Sequence, residues 1–245
     1  MNLLLVEPAE VKDGACMLEG RRATHVRAVL GAKPGDAIRA GVIGGAAGTA
    51  TLVADDGTTM TLRLDLGAGA PAPVVMPVEL VLAVPRPKVI ARAVEIAASF
   101  AVRRVDLTNA WRVDKSYLTS PKLAPAALAA SARLGAEQGA TTHVPEVTVH
   151  RRLMELLDAR WPAEGPPGAR LLAHPGAPPI ETIAWPRGEV VTLAIGPEGG
   201  WIQRELDTLV ARGFQPISLG APILRVEAAI AAALGQLMLL ARMAR

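Results

Sequence analysis

A chain of 245 residues, 51% hydrophobic and 20% charged, carries enough apolar matter for one large or two modest packed domains and is no disordered tract. Aromatics at 3% exclude a surface built from many base-stacking platforms, and a net charge of +3 permits an anionic partner without demanding one. The single cysteine, Cys16, excludes an internal disulfide and a cysteine-cluster zinc site.

The first residues lack the basic lead and the long apolar run of a signal peptide, so a reducing, cytoplasmic setting is expected. Residues 3–6, 15–18, 37–40, 49–53 and 59–66 read as short strands between Gly, Asp and Pro turns, which suggests a small barrel. A helical turn near 24–29 interrupts them. Arg21, Arg22, His25 and Arg27 gather there. They suit RNA docking or form an ordinary solvated surface. The Gly/Ala/Pro stretch 67–77 reads as a linker, dividing the chain into 1–70 and 74–245.

Beyond the linker, strand and helix alternate, as in an α/β domain with a parallel sheet. Strands are expected at 78–84, 102–107, 144–149, 170–173, 189–195 and 214–219. Helices are expected at 87–100, 123–138, 151–160, 201–212 and 226–243. Within 201–212, Ile202, Leu206, Leu209 and Val210 share one face. The polar stretch 109–120 carries Arg112, Lys115 and Tyr117, and 163–168 is a second loop. No apolar run reaches the length of a membrane span. The last helix, apolar nearly all round, is expected to be buried on more than one face, inside the domain or against a second copy.

Three strand ends carry turns: His174-Pro175-Gly176 after Ala173, Gly196-Pro197-Glu198-Gly199-Gly200 after Ile195, and Gly220-Ala221-Pro222 after Leu219. Ligands in open parallel sheets sit outside the carboxyl ends of strands, so convergence of the three would make a pocket. Glu198 sets a carboxylate where a phosphate would otherwise bind a helix start. The turn therefore suits a neutral or cationic ligand, such as an adenosine with an amino-acid tail and a sulfonium, unless Glu198 is only a solvated turn residue. The same acid argues against an ordinary nucleotide-binding oxidoreductase or kinase.

The segments IGPEGG at 195–200, the helix containing Glu205, SLGAPILRVEAA at 218–229, RAVEIAASFAVRRV at 92–105, AEQGATTHVPEV at 136–147 and HVRAVLGAKPGDAI at 25–38 span nearly the whole chain. Together they resemble the ribosomal RNA small subunit methyltransferase E family of the SPOUT superfamily. The resemblance implies a SPOUT-type knotted parallel-sheet methyltransferase domain with a trefoil knot and a C-terminal dimerisation helix, preceded by a small PUA-like β-barrel. It implies a homodimer that uses S-adenosyl-L-methionine, without a metal and away from any membrane, to methylate N3 of a uridine in 16S ribosomal RNA. A non-catalytic RNA-binding protein retaining the fold is the other reading.

By the same resemblance, Leu172, Ala173 and His174 flank the cofactor from the first turn. Ile195, Gly196, Pro197, Glu198, Gly199 and Gly200 do so from the second. Ser218, Leu219, Gly220, Ile223, Leu224, Arg225 and Glu227 do so from the third. Arg225 would stabilise negative charge on the uracil, and Glu198 or Glu227 would accept its proton, or Glu198 would balance the sulfonium. Arg225 pairing with Glu227, and Glu227 complementing a helix dipole, are the structural counterparts of those roles. RNA contact would come from Arg21, Arg22, His25, Arg27, Arg112 and Lys115. Where the family has Thr-Glu-Thr-Ala after Leu-Arg, this chain has Val226-Glu227-Ala228-Ala229.

Overall fold

The computed structural model describes residues 2–67, 72–162, 169–183, 185–186 and 188–244. The loop expected at 163–168 and part of the expected linker lie outside the described residues. The chain separates into two compact units, Met1–Val74 with Ala136–Val144, and Val75–Gly135 with Pro145–Arg245.

In the first unit, β1 (Leu4–Val6), β2 (Ala15–Leu18), β3 (Ala37–Val42), β4 (Ala47–Asp55) and β5 (Met60–Asp65) form a five-stranded sheet in the order β1-β3-β4-β5-β2. Alternation sets its faces: Ala50 and Leu52 of β4 are fully buried, while Thr51 and Val53 between and beyond them are exposed. The buried set closes on Leu4, Val6, Cys16, Leu18, Met60 and Leu62, the pattern of a sheet with one dry face. The helical turn starts earlier than expected, as α1 (Gly20–His25), and continues as a π-helical turn, Val26–Leu30. Burial of Ala23 and Val26 holds it on the sheet.

The grouping of Ala136–Val144 with this unit differs from the boundaries 1–70 and 74–245. Its cause is hydrogen bonding: the Asn2 and Leu3 N–H groups donate to the Glu137 carbonyl at 3.0 and 3.1 Å, and the Thr142 hydroxyl donates to the Gly45 carbonyl at 2.6 Å. Leu3, Leu5 and Ala136 bury one another beside them.

The second unit is built on β6 (Met76–Ala83), α2 (Pro87–Ser99), β7 (Val102–Thr108), α3 (Pro125–Gly139), β8 (Glu146–His150), α4 (Leu153–Arg160), β9 (Arg170–Ala173), β10 (Val191–Ile195), α5 (Gln203–Ala211), β11 (Phe214–Ile217) and α6 (Val226–Met243). Its last strand-forming boundary with the linker is a correction, since β6 begins inside 67–77. Six strands pair in parallel in the order β11-β9-β10-β6-β7-β8. All five residues of β10 are buried, as expected for an inner strand of a parallel sheet. The stretch 109–120 is not a plain loop; Lys115–Thr119 forms a 3-10 turn capped by Asp114.

One row of this sheet is polar on five of its six strands, with Phe214 the apolar exception. Phe214, Arg170, Thr192, Glu79, Arg104 and Glu146 stand in register across all six strands. Arg160, at the end of α4, joins the row by pairing with Glu79 and with Asp106, and its guanidinium lies 4.5 Å from the centre of the Trp161 ring. Asp106 is fully buried and also accepts from Arg104 at 3.2 Å and contacts His150 Nε2 at 2.9 Å. Ion pairing and hydrogen bonding on every side keep these charges tolerable inside the fold.

Two helices depart from the expected burial. In α5, Leu209 is buried but Val210 is exposed, because the helix rests on β11 along a narrower stripe than its apolar residues allow. In α6, Val226, Ala229, Ile230, Ala233, Leu234 and Leu237 are buried at spacings of three and four and pack toward α2 and β10, while Met238, Leu239 and Met243 are exposed. The helix is therefore buried on one side. By length and composition it could cross a membrane, with a mean hydropathy of 1.5 over 18 residues, which corrects the expectation that no stretch is so long.

Candidate functional site

Strands β9, β10 and β11 are neighbours and run the same way, so their carboxyl ends, Ala173, Ile195 and Ile217, lie side by side. The turns that follow enclose a cavity of about 290 Å³. Ala173, His174 and Pro175 line it from the first turn. Ile195, Gly196, Pro197, Glu198, Gly199, Gly200 and Trp201 line it from the second. Ser218, Leu219, Gly220, Pro222, Ile223 and Leu224 line it from the third, and Val226 and Ala229 close it from α6. The structure thus brings together most of the residues expected at a cofactor site. Leu172 lies one position before the cavity, fully buried in β9. Arg225 and Glu227 flank the wall formed by Leu224 and Val226 without lining it.

Backbone hydrogen bonds tie the first turn to the third. The His174 N–H donates to the Ile217 carbonyl at 2.9 Å, the Ser218 N–H to Pro178 O at 2.8 Å and the Ile180 N–H to Ser218 O at 3.0 Å. The stretch after β9 therefore clasps the stretch after β11. The Gln236 side chain, from α6, donates to the Leu219 carbonyl at 3.0 Å. Gly196 is dictated by packing: a Cβ there would stand 2.9 Å from Nε1 of Trp201, whose ring is almost wholly buried. Only glycine lets the indole lie so close beneath the turn.

The carboxylates have definite partners. Glu198 accepts from the Arg86 N–H at 3.0 Å, with Arg86 Nε 3.9 Å away. It caps the start of α2, an arrangement favoured by the helix dipole. Glu205 accepts from the Ile202 N–H at 3.1 Å, closing the first turn of α5, and from the Trp111 N–H at 2.7 Å. The Arg112 guanidinium donates to the Gly199 carbonyl. Arg225 is exposed, and no hydrogen-bond or ion-pair partner engages its side chain among the described residues. The pairing with Glu227, the structural alternative to a role in catalysis, is not formed.

The basic residues of the first unit are mostly engaged. Arg22 is held by Glu10 and by the Leu5 carbonyl and is only 17% exposed, and the hydrogen bond to Glu10 raises its pKa further. Arg27 makes two hydrogen bonds to Asp55, at 2.9 and 2.6 Å. Arg21 reaches the buried Glu137 at 3.3 Å while staying largely exposed. His25 Nε2 is buried. Arg112 and Lys115, in the second unit, are exposed. Cys16 is buried, and that burial, followed by the charge of Glu10, pushes its thiol up, the reverse of an activated nucleophile.

Reading by residue type placed Pro175 and Pro222 in the expected turns without naming them as cofactor contacts, and missed Trp201, Val226 and Ala229 in the lining and Glu205 and Arg86 behind it. Trp201 directly adjoins an expected glycine turn. Nothing local marks Arg86, which meets Glu198 across 112 residues.

Residues 71–238 match the model of the RNA methyltransferase domain. Ribosomal RNA small subunit methyltransferase E of Treponema pallidum (strain Nichols) is 28% identical over 238 residues, 95% of this chain and 89% of that protein. The fold is similar to that of ribosomal RNA small subunit methyltransferase E from Neisseria gonorrhoeae, solved bound to S-adenosyl methionine (TM-score 0.79, 22% identity, 98% of each chain covered). It is also similar to a Legionella pneumophila methyltransferase solved with the bound cofactor SAM (TM-score 0.78, 21% identity, 97% of each chain). A cavity at three parallel strand ends, the domain match that contains it and a relative aligned along nearly the full length agree: the chain belongs to the RNA methyltransferase domain family, among the relatives of ribosomal RNA small subunit methyltransferase E.

Proposed function

We propose that the protein is an S-adenosyl-L-methionine-dependent methyltransferase that methylates N3 of a uridine in 16S ribosomal RNA of the small subunit. The observation that carries this reading is the meeting of the three strand-end turns in one cavity inside the matched domain. The cavity fits the cofactor: its walls are glycine, proline and aliphatic residues with backbone amides and carbonyls, which can hold an adenosine and an aliphatic tail without a phosphate site. Ala173, His174, Gly196, Gly199, Leu219 and Leu224 would hold it, with Leu172, Arg225 and Glu227 completing the surround. When bound, it supplies a methyl group on a positively charged sulfur.

The acceptor nitrogen lies on the pairing edge of uracil and bears a proton. The base must be unpaired or extruded, and the proton must leave. Arg225, exposed beside the cavity and free of any carboxylate, stabilises the negative charge that then develops on the uracil oxygens. Glu227, two residues on, accepts the proton. Glu198 is already engaged by Arg86, so its part is to hold the turn in shape. Arg112 and Lys115 meet RNA phosphates near the cavity, and Arg21 and Arg27 add contacts from the first unit, where Arg22 and His25 serve mainly as supports. That unit is read as the PUA-like barrel. The clasp between 178–180 and Ser218 supports a SPOUT-type trefoil knot. The exposed side of α6 supports a homodimer. The reaction needs no metal and takes place in the cytoplasm.

Calorimetric titration is expected to show binding of S-adenosylmethionine and not of NADH or ATP. Deleting the gene is expected to remove one 3-methyluridine from small-subunit ribosomal RNA. A mark that persists would leave a non-catalytic RNA-binding protein in its place.

A further inference from the structure

Beside the cavity, one large aromatic ring is left in solvent. Trp111 is 78% exposed, whereas the other three tryptophans are buried or half-buried. The exposure does not come from a slack loop. Ala110 and Val113, on either side of the Trp111-Arg112 pair, are buried, and the Val113 N–H donates to the Ala110 carbonyl at 3.0 Å. The pair thus forms the tip of a tight, anchored turn. The Trp111 N–H is itself held by Glu205 at 2.7 Å, and the neighbouring Arg112 side chain is hooked on the carbonyl of Gly199, a residue of the cavity wall. The Glu205 carboxylate and the tip's own Arg112 guanidinium together fix it beside the turn that the proposed methyl transfer uses.

The charges around the ring favour an anionic ligand. Lys115 is exposed. Asp114, also exposed, spends one carboxylate oxygen accepting from the Ser116 N–H and hydroxyl, both at 2.8 Å. An exposed indole on an anchored backbone, with the exposed Arg112 and Lys115 close to it in sequence, presents a π-face that any base can stack on, and the fixed backbone lowers the ordering cost of binding.

We propose that Trp111 is a stacking platform for an unpaired nucleobase of the RNA substrate, adjacent to the target uridine. It is a binding residue for RNA and takes no part in holding the methyl donor. This inference rests on the methyltransferase reading above, which it deepens by assigning a base contact outside the cavity.

The test uses the full-length protein and a labelled, unstructured oligoribonucleotide containing one uridine, together with a counterpart whose flanking nucleotides are abasic. Binding is read by fluorescence anisotropy, and methyl-donor affinity by calorimetry. Wild type is expected to bind the intact strand roughly tenfold more tightly than the abasic strand. Trp111→Ala should lose that preference, binding both strands as wild type binds the abasic one, and Trp111→Phe should keep most of it. Donor affinity should be the same in all three proteins. An alanine variant that keeps the full preference overturns the inference alone. So does an alanine variant whose sedimentation shifts from dimer to monomer, since the ring would then cover a contact between copies. Wild type that takes up the donor but binds neither strand overturns the RNA substrate itself, and the inference with it.

Discussion

At the scale of single residues, the cavity separates groups that hold from groups that act. Glu198, Glu205 and Arg112 each spend their polar atoms on a neighbouring backbone, so their removal deforms the walls. Arg225 has no such duty. Arg225→Ala is therefore expected to lower turnover by about 10²-fold or more, in the range of losing one donor to a developing anion, with donor affinity changed by no more than a few-fold. Single-turnover assays alongside calorimetry would check this; weakened donor binding with unchanged turnover would contradict it. Gly196→Val has the opposite signature. Its first side-chain atom would meet the buried Trp201 indole at 2.9 Å, the turn would shift, and calorimetry should show donor binding lost, with the thermal midpoint lowered as for an overpacked contact that costs about 1–3 kcal/mol.

At the scale of elements, charge buried between strands and helices carries stability. Asp106 on β7 is reached by Arg104, by His150 of β8 and by Arg160 of α4. Removing the fully buried carboxylate leaves the half-buried Arg104 and Arg160 without it; breaking a buried pair typically costs about 3–5 kcal/mol, an upper bound here because both arginines keep some contact with solvent. Asp106→Ala should show a loss of up to that order in urea unfolding at neutral pH. The first unit offers a pH-dependent case. Asp55, at the end of β4, has a lowered pKa, chiefly from its hydrogen bond with Arg27 and then from the Gly57 N–H. A depressed folded-state pKa contributes stability above the ordinary aspartate value, near 3.9, and that contribution fades as pH falls through the lowered value. The difference in unfolding midpoint between wild type and Asp55→Asn should therefore be steady at neutral pH and shrink in acid below that range. Asp55 keeps contact with solvent while Asp106 is fully buried, so the neutral-pH difference should also narrow at high ionic strength for Asp55, and much less for Asp106.

At the scale of the whole molecule, α6 is the element with an unfinished surface. One stripe packs toward α2 and β10, and Met238, Leu239 and Met243 face out. The homodimer proposed above covers them. Sedimentation should report a dimer for wild type and a monomer for Leu239→Glu, since a charge placed in an apolar contact cannot be desolvated cheaply. A Leu239→Glu protein that remains dimeric would move the contact elsewhere.

The amino-acid sequence by itself determined the elements and the place of the cavity. Periodicity of two and of about 3.6 residues, with Gly and Pro as punctuation, located nearly every strand and helix to within a few residues, and glycine turns after three apolar runs marked the walls at Ala173, Gly196 and Gly220. These are local properties, written in neighbouring residues. Tertiary structure alone decided what pairs across long separations: Glu198 with Arg86, Glu205 with Trp111, Arg160 with Glu79. It also decided which apolar residues were left over, namely Val210, Trp111 and the outer side of α6. Periodicity shows that a face is apolar, but only the packing of other elements determines whether anything covers it. A carboxylate likewise reads the same in sequence whether it will cap a helix or take a proton.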